Sequence, residues 1–88
     1  MKWTREMLRA DLIALFSHHA QAEILVTEQS HLVADLGIDS LGVMEVIADI
    51  EDKFKLTIPD DALREVETIA DVAAAIEAKL ALQGRLEG

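Results

Sequence analysis

The segment Asp35-Leu36-Gly37-Ile38-Asp39-Ser40-Leu41 combines residue types that could support chemistry. Gly37 can adopt the positive φ angle of a tight turn, and Asp39 is a favourable N-cap for a helix that begins at Ser40 or Leu41. Ser40 then lies in the first helical turn, where free N–H groups and the helix dipole favour an anion by about 0.3–1 kcal/mol. A phosphate ester on Ser40 would be tolerated there. The alternative is that Ser40 is only a capping residue, which is the commoner role of serine.

The other polar side chains do not have the spacing of a catalytic or metal-binding set. His18 and His19 are adjacent and point in different directions on a helix, and His31 has no acidic or cysteine partner at a recognised interval. The sequence also lacks a Gly-x-Ser-x-Gly elbow, a phosphate-binding loop and a histidine placed to activate Ser40. We therefore expect no metal and no enzymatic activity, so any modification of Ser40 would have to be made by another enzyme.

Length and composition favour one small folded domain over residues 1–88. The chain has 88 residues, is 51% apolar and contains no cysteine, so its core must hold the fold without disulfides. A net charge of −9 disfavours nucleic acid and anionic membranes and favours a partner with a basic surface. No apolar run resembles a signal peptide or a membrane span. The expectation is a cytoplasmic, monomeric protein.

Hydrophobic periodicity predicts a first helix that is capped by Thr4 and runs to about His18. Its core stripe is predicted to contain Leu8, Leu12 and Leu15, with Phe16 at the edge. A long connection follows from about residue 20 to 38, with a turn at Thr27–Ser30. Several of its apolar residues should pack into the core, and the candidates are Ile24, Leu25, Val26, Leu32, Val33 and Leu36.

The second helix, about Ser40 to Lys55, is predicted to have a buried face and an acidic outer face. The buried face contains Val43, Val46, Ile47, Ile50 and Phe54. The outer face contains Leu41, Met44, Glu45, Ala48, Glu51 and Asp52. The two large apolar side chains beside Ser40, Leu41 and Met44, either form a small docking patch, or complete the core or are ordinary exposed apolar residues.

The rest of the chain predicts one short and one long helix. Asp60 or Asp61 is expected to cap a short helix after Pro59, and Thr68 with Asp71 resembles a capping box. The last helix, ending near Leu82, has a core stripe of Ile69, Val72, Ala73, Ile76 and Leu80. Residues 83–88 are expected to form a flexible tail. The predicted fold class is all-α, a small bundle of three main helices plus one short helix.

These features together resemble the acyl carrier protein family. The resemblance includes the segment from Asp35 to Leu41, the acidic helix ending Phe54-Lys55-Leu56, and Ile58-Pro59-Asp60, and it extends from about Leu8 to Leu80. It implies that a phosphopantetheinyl transferase attaches 4′-phosphopantetheine from coenzyme A to Ser40. The thiol of this arm would then hold acyl intermediates as thioesters.

The resemblance also implies which enzymes bind and where. A ketosynthase, an acyltransferase and other acyl-processing enzymes would contact the outer face of the second helix, through Leu41, Met44, Glu45, Ala48, Glu51 and Asp52, with Asp35 and Asp39 adding charge near the arm. The space near Ile47, Ile58 and Ala62 could shelter an acyl chain.

Two departures from the family bear on the pathway. Gly42 stands where fatty-acid carriers often have an acid, and Met44 replaces a commoner β-branched residue. They favour a carrier of polyketide or other specialised synthesis and leave fatty-acid synthesis open. The alternative from a different class is an unmodified acidic helical adaptor that binds a basic protein.

Overall fold

A computed structural model of the protein describes residues 2–20 and 25–87 and shows the predicted all-α fold. The helices are α1 (Arg5–His19), α2 (Ser40–Phe54), α3 (Asp60–Leu63) and α4 (Ile69–Leu82). Three of them are long and one is a single short turn, as the periodicity predicts. Within the described residues, none of the helices is long and apolar enough to cross a membrane.

The predicted caps are confirmed for the three long helices. The Thr4 side chain accepts the N–H of Met7 in α1, and the Asp39 side chain accepts the N–H of Gly42 in α2. Thr68 and Asp71 form a reciprocal capping box at the start of α4. Each cap satisfies a backbone donor that the first helical turn leaves free.

The predicted cap of α3 is wrong. The helix begins at Asp60, so neither Asp60 nor Asp61 is its cap, and Pro59 occupies the N-cap position without a side-chain hydrogen bond. Proline cannot donate a backbone hydrogen bond, and its φ angle of −71° is already set for entry into a helix.

The core lies between α1, α2 and α4. The α1 stripe differs from the prediction, since Phe16 is fully buried with Leu8 and Leu12 whereas Leu15 is half-buried at the edge. Leu15 and Phe16 both continue the helical spacing of Leu8 and Leu12, and packing against the other helices places Phe16 in the core. The buried residues of α2 and α4 are Val46, Ile47, Ile50, Phe54, Ile69, Val72, Ala73, Ile76 and Leu80. Val43 is half-buried against them.

The connection between α1 and α2 packs into this core in part. Leu32, Leu36 and Ile38 are buried and Val26 is half-buried. The expectation that several of the candidates pack into the core is therefore confirmed, while Leu25 and Val33 are exposed and Ile24 lies outside the described residues. The turn at Thr27–Ser30 is confirmed by a 3.1 Å hydrogen bond from the Ser30 N–H to the Thr27 carbonyl.

The C-terminal segment differs from the expected flexible tail. The Trp3 N–H donates to the Arg85 carbonyl at 2.8 Å, and the Glu87 N–H donates to the Trp3 carbonyl at 2.7 Å. The Arg85 guanidinium donates to the carbonyls of Phe54 and Lys55, at the end of α2. Residues 85–87 therefore pair with the N-terminal segment and cap the free carbonyls of α2.

Candidate functional site

Ser40 is the first residue of α2, and its side chain is exposed to solvent. Asp39 has extended backbone angles, and its Oδ1 atom accepts the Gly42 N–H at 2.7 Å. The N–H groups of Ser40 and Leu41 have no hydrogen-bond partner among the described residues. The site thus presents a hydroxyl beside free backbone donors at the positive end of a helix dipole, which suits a phosphate ester.

A hydrogen-bonded turn over residues 31–38 leads into this helix. The N–H groups of Asp35 and Leu36 donate to the His31 carbonyl, both at 3.0 Å, and the Ile38 N–H donates to the Leu32 carbonyl at 3.1 Å. Gly37 has a φ angle of +68°, a conformation that glycine adopts without strain. Leu36 and Ile38 are buried on either side of it and fix both ends of the glycine turn in the core.

The same turn is joined to the start of α4. The Leu32 N–H donates to the Glu67 carbonyl at 2.9 Å, and His31 forms an isolated antiparallel bridge with Thr68. The first two N–H groups of α4, those of Ile69 and Ala70, donate to carbonyls of the same connection. The segment before Ser40 is therefore held by α4 as well as by its own turn.

The Asp71 carboxylate stabilises this junction. Its Oδ2 atom accepts the N–H groups of Thr68 and Glu67, each at 3.0 Å. These backbone hydrogen bonds, led by that of Thr68, hold the pKa of Asp71 below its usual range because they favour the charged form.

Arg9 ties α1 to the same region. Its guanidinium contacts the carboxylates of Glu28 and Glu77, and the hydrogen bond and charge of Glu28 raise the pKa of Arg9. Glu28 also accepts the Ala70 N–H through its backbone carbonyl at 2.8 Å. Through Glu28, the connection between α1 and α2 is therefore attached to both α1 and α4.

The outer face of α2 carries the predicted apolar and acidic residues. Leu41 is 67% exposed and Met44 is 54% exposed, so both lie on the surface and outside the core. Glu45, Ala48 and Asp52 are also exposed. Glu51 is half-buried, and its Oε2 atom accepts the Ile58 N–H at 2.8 Å. Of the acids on this face, Glu51 has a structural contact that its sequence position did not indicate.

The predicted site residues Asp35 and Asp39 lie in the segment that leads into α2, and Asp35 also has an internal role. The Asp35 Oδ2 atom accepts the His31 N–H at 2.7 Å, so the side chain of Asp35 closes the turn that begins at His31. Asp35 and Asp39 are both exposed, so each also adds negative charge to the surface around Ser40.

Gly42 lies in a tight space that the sequence did not reveal. A Cβ atom at this position would lie 2.7 Å from Ile38 Cγ2 and 3.3 Å from Asp39 Oδ1. Ile38 is buried and branches at Cβ, so this methyl group cannot rotate away freely. Ile38 precedes the N-cap Asp39 and lies outside α2, so the contact depends on how the chain enters the helix and has no signal in residue spacing.

Of the residues named for an acyl shelter, two line a surface groove. Ile58 and Ala62 form one wall of an apolar groove of about 230 Å³, and Ala75, Ala78 and Leu82 of α4 form the other. Ile47 is instead part of the packed core and 3% exposed. Among the described residues, no group of three or more histidine, aspartate or glutamate side chains could hold a metal ion.

Comparisons with known proteins agree with this arrangement. The family model described as the phosphopantetheine attachment site matches residues 10–76. The acyl carrier protein of Exiguobacterium sibiricum is 40% identical over 83 residues, covering 88% of this chain and 99% of that protein. The acyl carrier protein of Thermotoga maritima is 38% identical, covering 66% of this chain and 72% of that protein.

A solved structure that carries the description of an acyl carrier protein, from Mycobacterium tuberculosis, superimposes with a TM-score of 0.72. It is 26% identical, and the match covers 78% of this chain and 93% of that one. The chain therefore belongs to the acyl carrier protein family, whose members are carriers rather than enzymes and bear a covalently attached 4′-phosphopantetheine.

Proposed function

We propose that Ser40 is the residue to which 4′-phosphopantetheine is attached. The observation that supports this most directly is the position of its exposed hydroxyl at the first residue of a capped helix. The chain has two other serines. Ser17 lies far along α1, and Ser30 is 7% exposed with its hydroxyl accepting the Thr27 N–H.

The residues around Ser40 fit a phosphate ester. The free N–H groups of Ser40 and Leu41 and the dipole of α2 favour the negative charge, while the Asp39 carboxylate opposes it. Asp39 is exposed and its Oδ1 is engaged by the Gly42 N–H, so solvent and this hydrogen bond reduce the repulsion. The arm supplies a terminal thiol, which holds acyl groups as thioesters, and the protein supplies a fixed attachment point that partners can find.

The outer face of α2 is the proposed partner-binding surface. Its exposed apolar centre consists of Leu41 and Met44. The surrounding residues are Asp35, Asp39, Glu45, Ala48, Glu51 and Asp52. An apolar centre ringed by carboxylates suits short encounters with basic enzyme surfaces, because the charges steer association without binding tightly.

The proposed partners are a phosphopantetheinyl transferase, a ketosynthase, an acyltransferase and other acyl-processing enzymes. Members of the family interact with a transferase and with acyl-processing enzymes. For the pathway we favour polyketide or other specialised acyl synthesis, with fatty-acid synthesis as the alternative. This choice follows from the departures at Gly42 and Met44. The close approach of Ile38 to Gly42 explains why an acid is absent there, since an acidic side chain would clash with Ile38.

Intact mass after incubation with coenzyme A and a broad-specificity phosphopantetheinyl transferase tests the attachment site. The parent chain and Ser17→Ala should each gain one phosphopantetheine group, and Ser40→Ala should gain none. Ser17 is an exposed helical serine, so its variant controls for loss of a hydroxyl as such. Loading of Ser40→Ala to the extent of the parent would refute the proposal.

A further inference from the structure

We propose that His31 is a positioning residue for Ser40, an inference that rests on the proposed attachment at Ser40. His31 lies nine residues before the serine, at the start of the turn that leads into α2. Its side chain and its backbone together make contacts that hold this turn closed. The partner enzyme would meet Ser40 in one orientation because this turn is ordered before binding.

The His31 imidazole caps the turn from within. Its Nδ1 atom lies 3.0 Å from the backbone nitrogen of Ala34 and 3.2 Å from that of Val33, and it accepts both N–H groups. A neutral imidazole has one acceptor nitrogen, so this arrangement places the ring proton on Nε2. The ring acts as a helix N-cap does, by satisfying backbone donors at the start of a turn.

The backbone of His31 adds to the same turn. Its N–H donates to Asp35 Oδ2 at 2.7 Å, and its carbonyl accepts the N–H groups of Asp35 and Leu36. A single residue therefore supports both ends of the segment from His31 to Leu36.

Because both ends of this turn are held in place, the ordered turn also fixes the position of Ser40. On one side, Leu32 is hydrogen-bonded to Glu67 at the start of α4. On the other side, the side chains of Leu36 and Ile38 are buried, so only Gly37 and Asp39 are exposed between Leu36 and Ser40. Without the imidazole, the N–H groups of Val33 and Ala34 lose their acceptor, and the turn can open toward water.

Initial rates of phosphopantetheine transfer to the parent, His31→Ala and His31→Asn test the inference. Asparagine is a strong N-cap residue and its side-chain oxygen can accept the same N–H groups. For His31→Ala we expect the KM for the carrier to rise, with about tenfold as the upper limit, because the loss of about one net hydrogen bond raises the KM only to the extent that the open turn becomes populated. His31→Asn should recover most of the loss, and kcat should change little.

Thr4→Ala is the matched control, because it removes a side-chain cap from α1, whose N-terminus is not part of the turn. Thr4→Ala should lower the melting temperature about as much as His31→Ala does, and it should leave the KM at the parent value. An unchanged KM for His31→Ala, or a His31→Asn variant no better than alanine, would overturn the inference. Failure of the parent to be loaded would instead overturn the attachment at Ser40.

The nitrogen NMR spectrum of the His31 ring gives a test that needs neither variant nor enzyme. The neutral ring should carry its proton on Nε2 and leave Nδ1 unprotonated, and the Val33 and Ala34 amides should exchange slowly with solvent. A ring with its proton on Nδ1 would contradict the capping role even if His31→Ala does not fold.

Discussion

At the scale of single residues, the packing of Gly42 against Ile38 fixes the geometry directly after Ser40. Glycine is a poor helix former, and in a helix interior it is about 1 kcal/mol less favourable than alanine. The close approach of Ile38 Cγ2 to the missing Cβ gives a reason for its presence. The same contact brings the buried end of the turn against the first turn of α2.

Gly42→Ala should therefore destabilise the protein despite the higher helix propensity of alanine. Overpacking typically costs about 1–3 kcal/mol, more than the propensity gain of about 1 kcal/mol. Urea unfolding should show a net loss of up to about 2 kcal/mol in the free energy of unfolding. Ala48→Gly, at an exposed site in the same helix, measures how much the alanine–glycine difference in helix propensity contributes to the free energy of unfolding.

Adding Ile38→Leu moves the branch away from Cβ and should recover part of the loss from Gly42→Ala. If Gly42→Ala is more stable than the parent by the amount that Ala48→Gly loses, the contact of Ile38 with residue 42 imposes no strain.

At the scale of elements, the capping box of α4 links the stability of that helix to pH. The pKa of Asp71 is lowered in the folded protein by the N–H groups of Thr68 and Glu67. In the unfolded chain an aspartate titrates near about 3.9. The contribution of Asp71 is thus fully present above that pH and is lost as the pH falls through the lower, folded pKa.

Asp71→Asn should consequently be less stable than the parent at neutral pH, and the difference should shrink as the pH is lowered below about 4. Urea melts of both chains across this range measure the effect. Glu65→Gln removes an exposed acid near the same helix without removing a hydrogen bond to the capping box. If the difference in the free energy of unfolding between the parent and Asp71→Asn stays constant with pH, the charged carboxylate does not have the proposed role.

At the scale of the whole molecule, the excess of acidic residues opposes folding while it favours steered encounters. The chain has 17 acidic and 8 basic residues, and each ion pair among the described residues has at least one exposed partner, as in Lys55 with Asp52 at 3.9 Å. Exposed pairs contribute only about 0–1 kcal/mol each, so they do not offset the repulsion.

Added salt should therefore raise the melting temperature. The Debye length falls from about 30 Å at 0.01 M to about 10 Å at 0.1 M ionic strength, which screens most of the repulsion between separated carboxylates. Melting curves over this range should shift upward by several degrees. A variant with Glu65→Gln and Glu67→Gln, both exposed, should shift less. A melting temperature that falls or stays constant with salt would show that repulsion is not the dominant charge effect.

The sequence predicted the parts of the fold that depend on local spacing. Asp39 with Gly42 and Thr68 with Asp71 are capping pairs three residues apart, so both could be recognised without tertiary information. Helix periodicity placed Leu41 and Met44 on the outer side of α2 but left open whether they complete the core, and the structure shows that both are exposed.

Contacts between distant segments could not be predicted in the same way. Arg85 caps α2 at Phe54, thirty-one residues away, and the chain between them gives no signal of that pairing. The imidazole of His31 has several possible partners in sequence, and only the folded turn shows that Nδ1 accepts the Val33 and Ala34 N–H groups. Leu15 and Phe16 are adjacent apolar residues, and packing decides which of them lies at the centre of the stripe.

The central claim is that this carrier holds its arm on Ser40, and fragment mass spectrometry of the loaded parent chain tests it most directly. After transfer from coenzyme A, the added phosphopantetheine should be found on the fragment containing Ser40, and fragmentation within it should place the group on that side chain. Localisation to Ser17 or Ser30, or no addition to a folded chain that carried no arm beforehand, would contradict the claim.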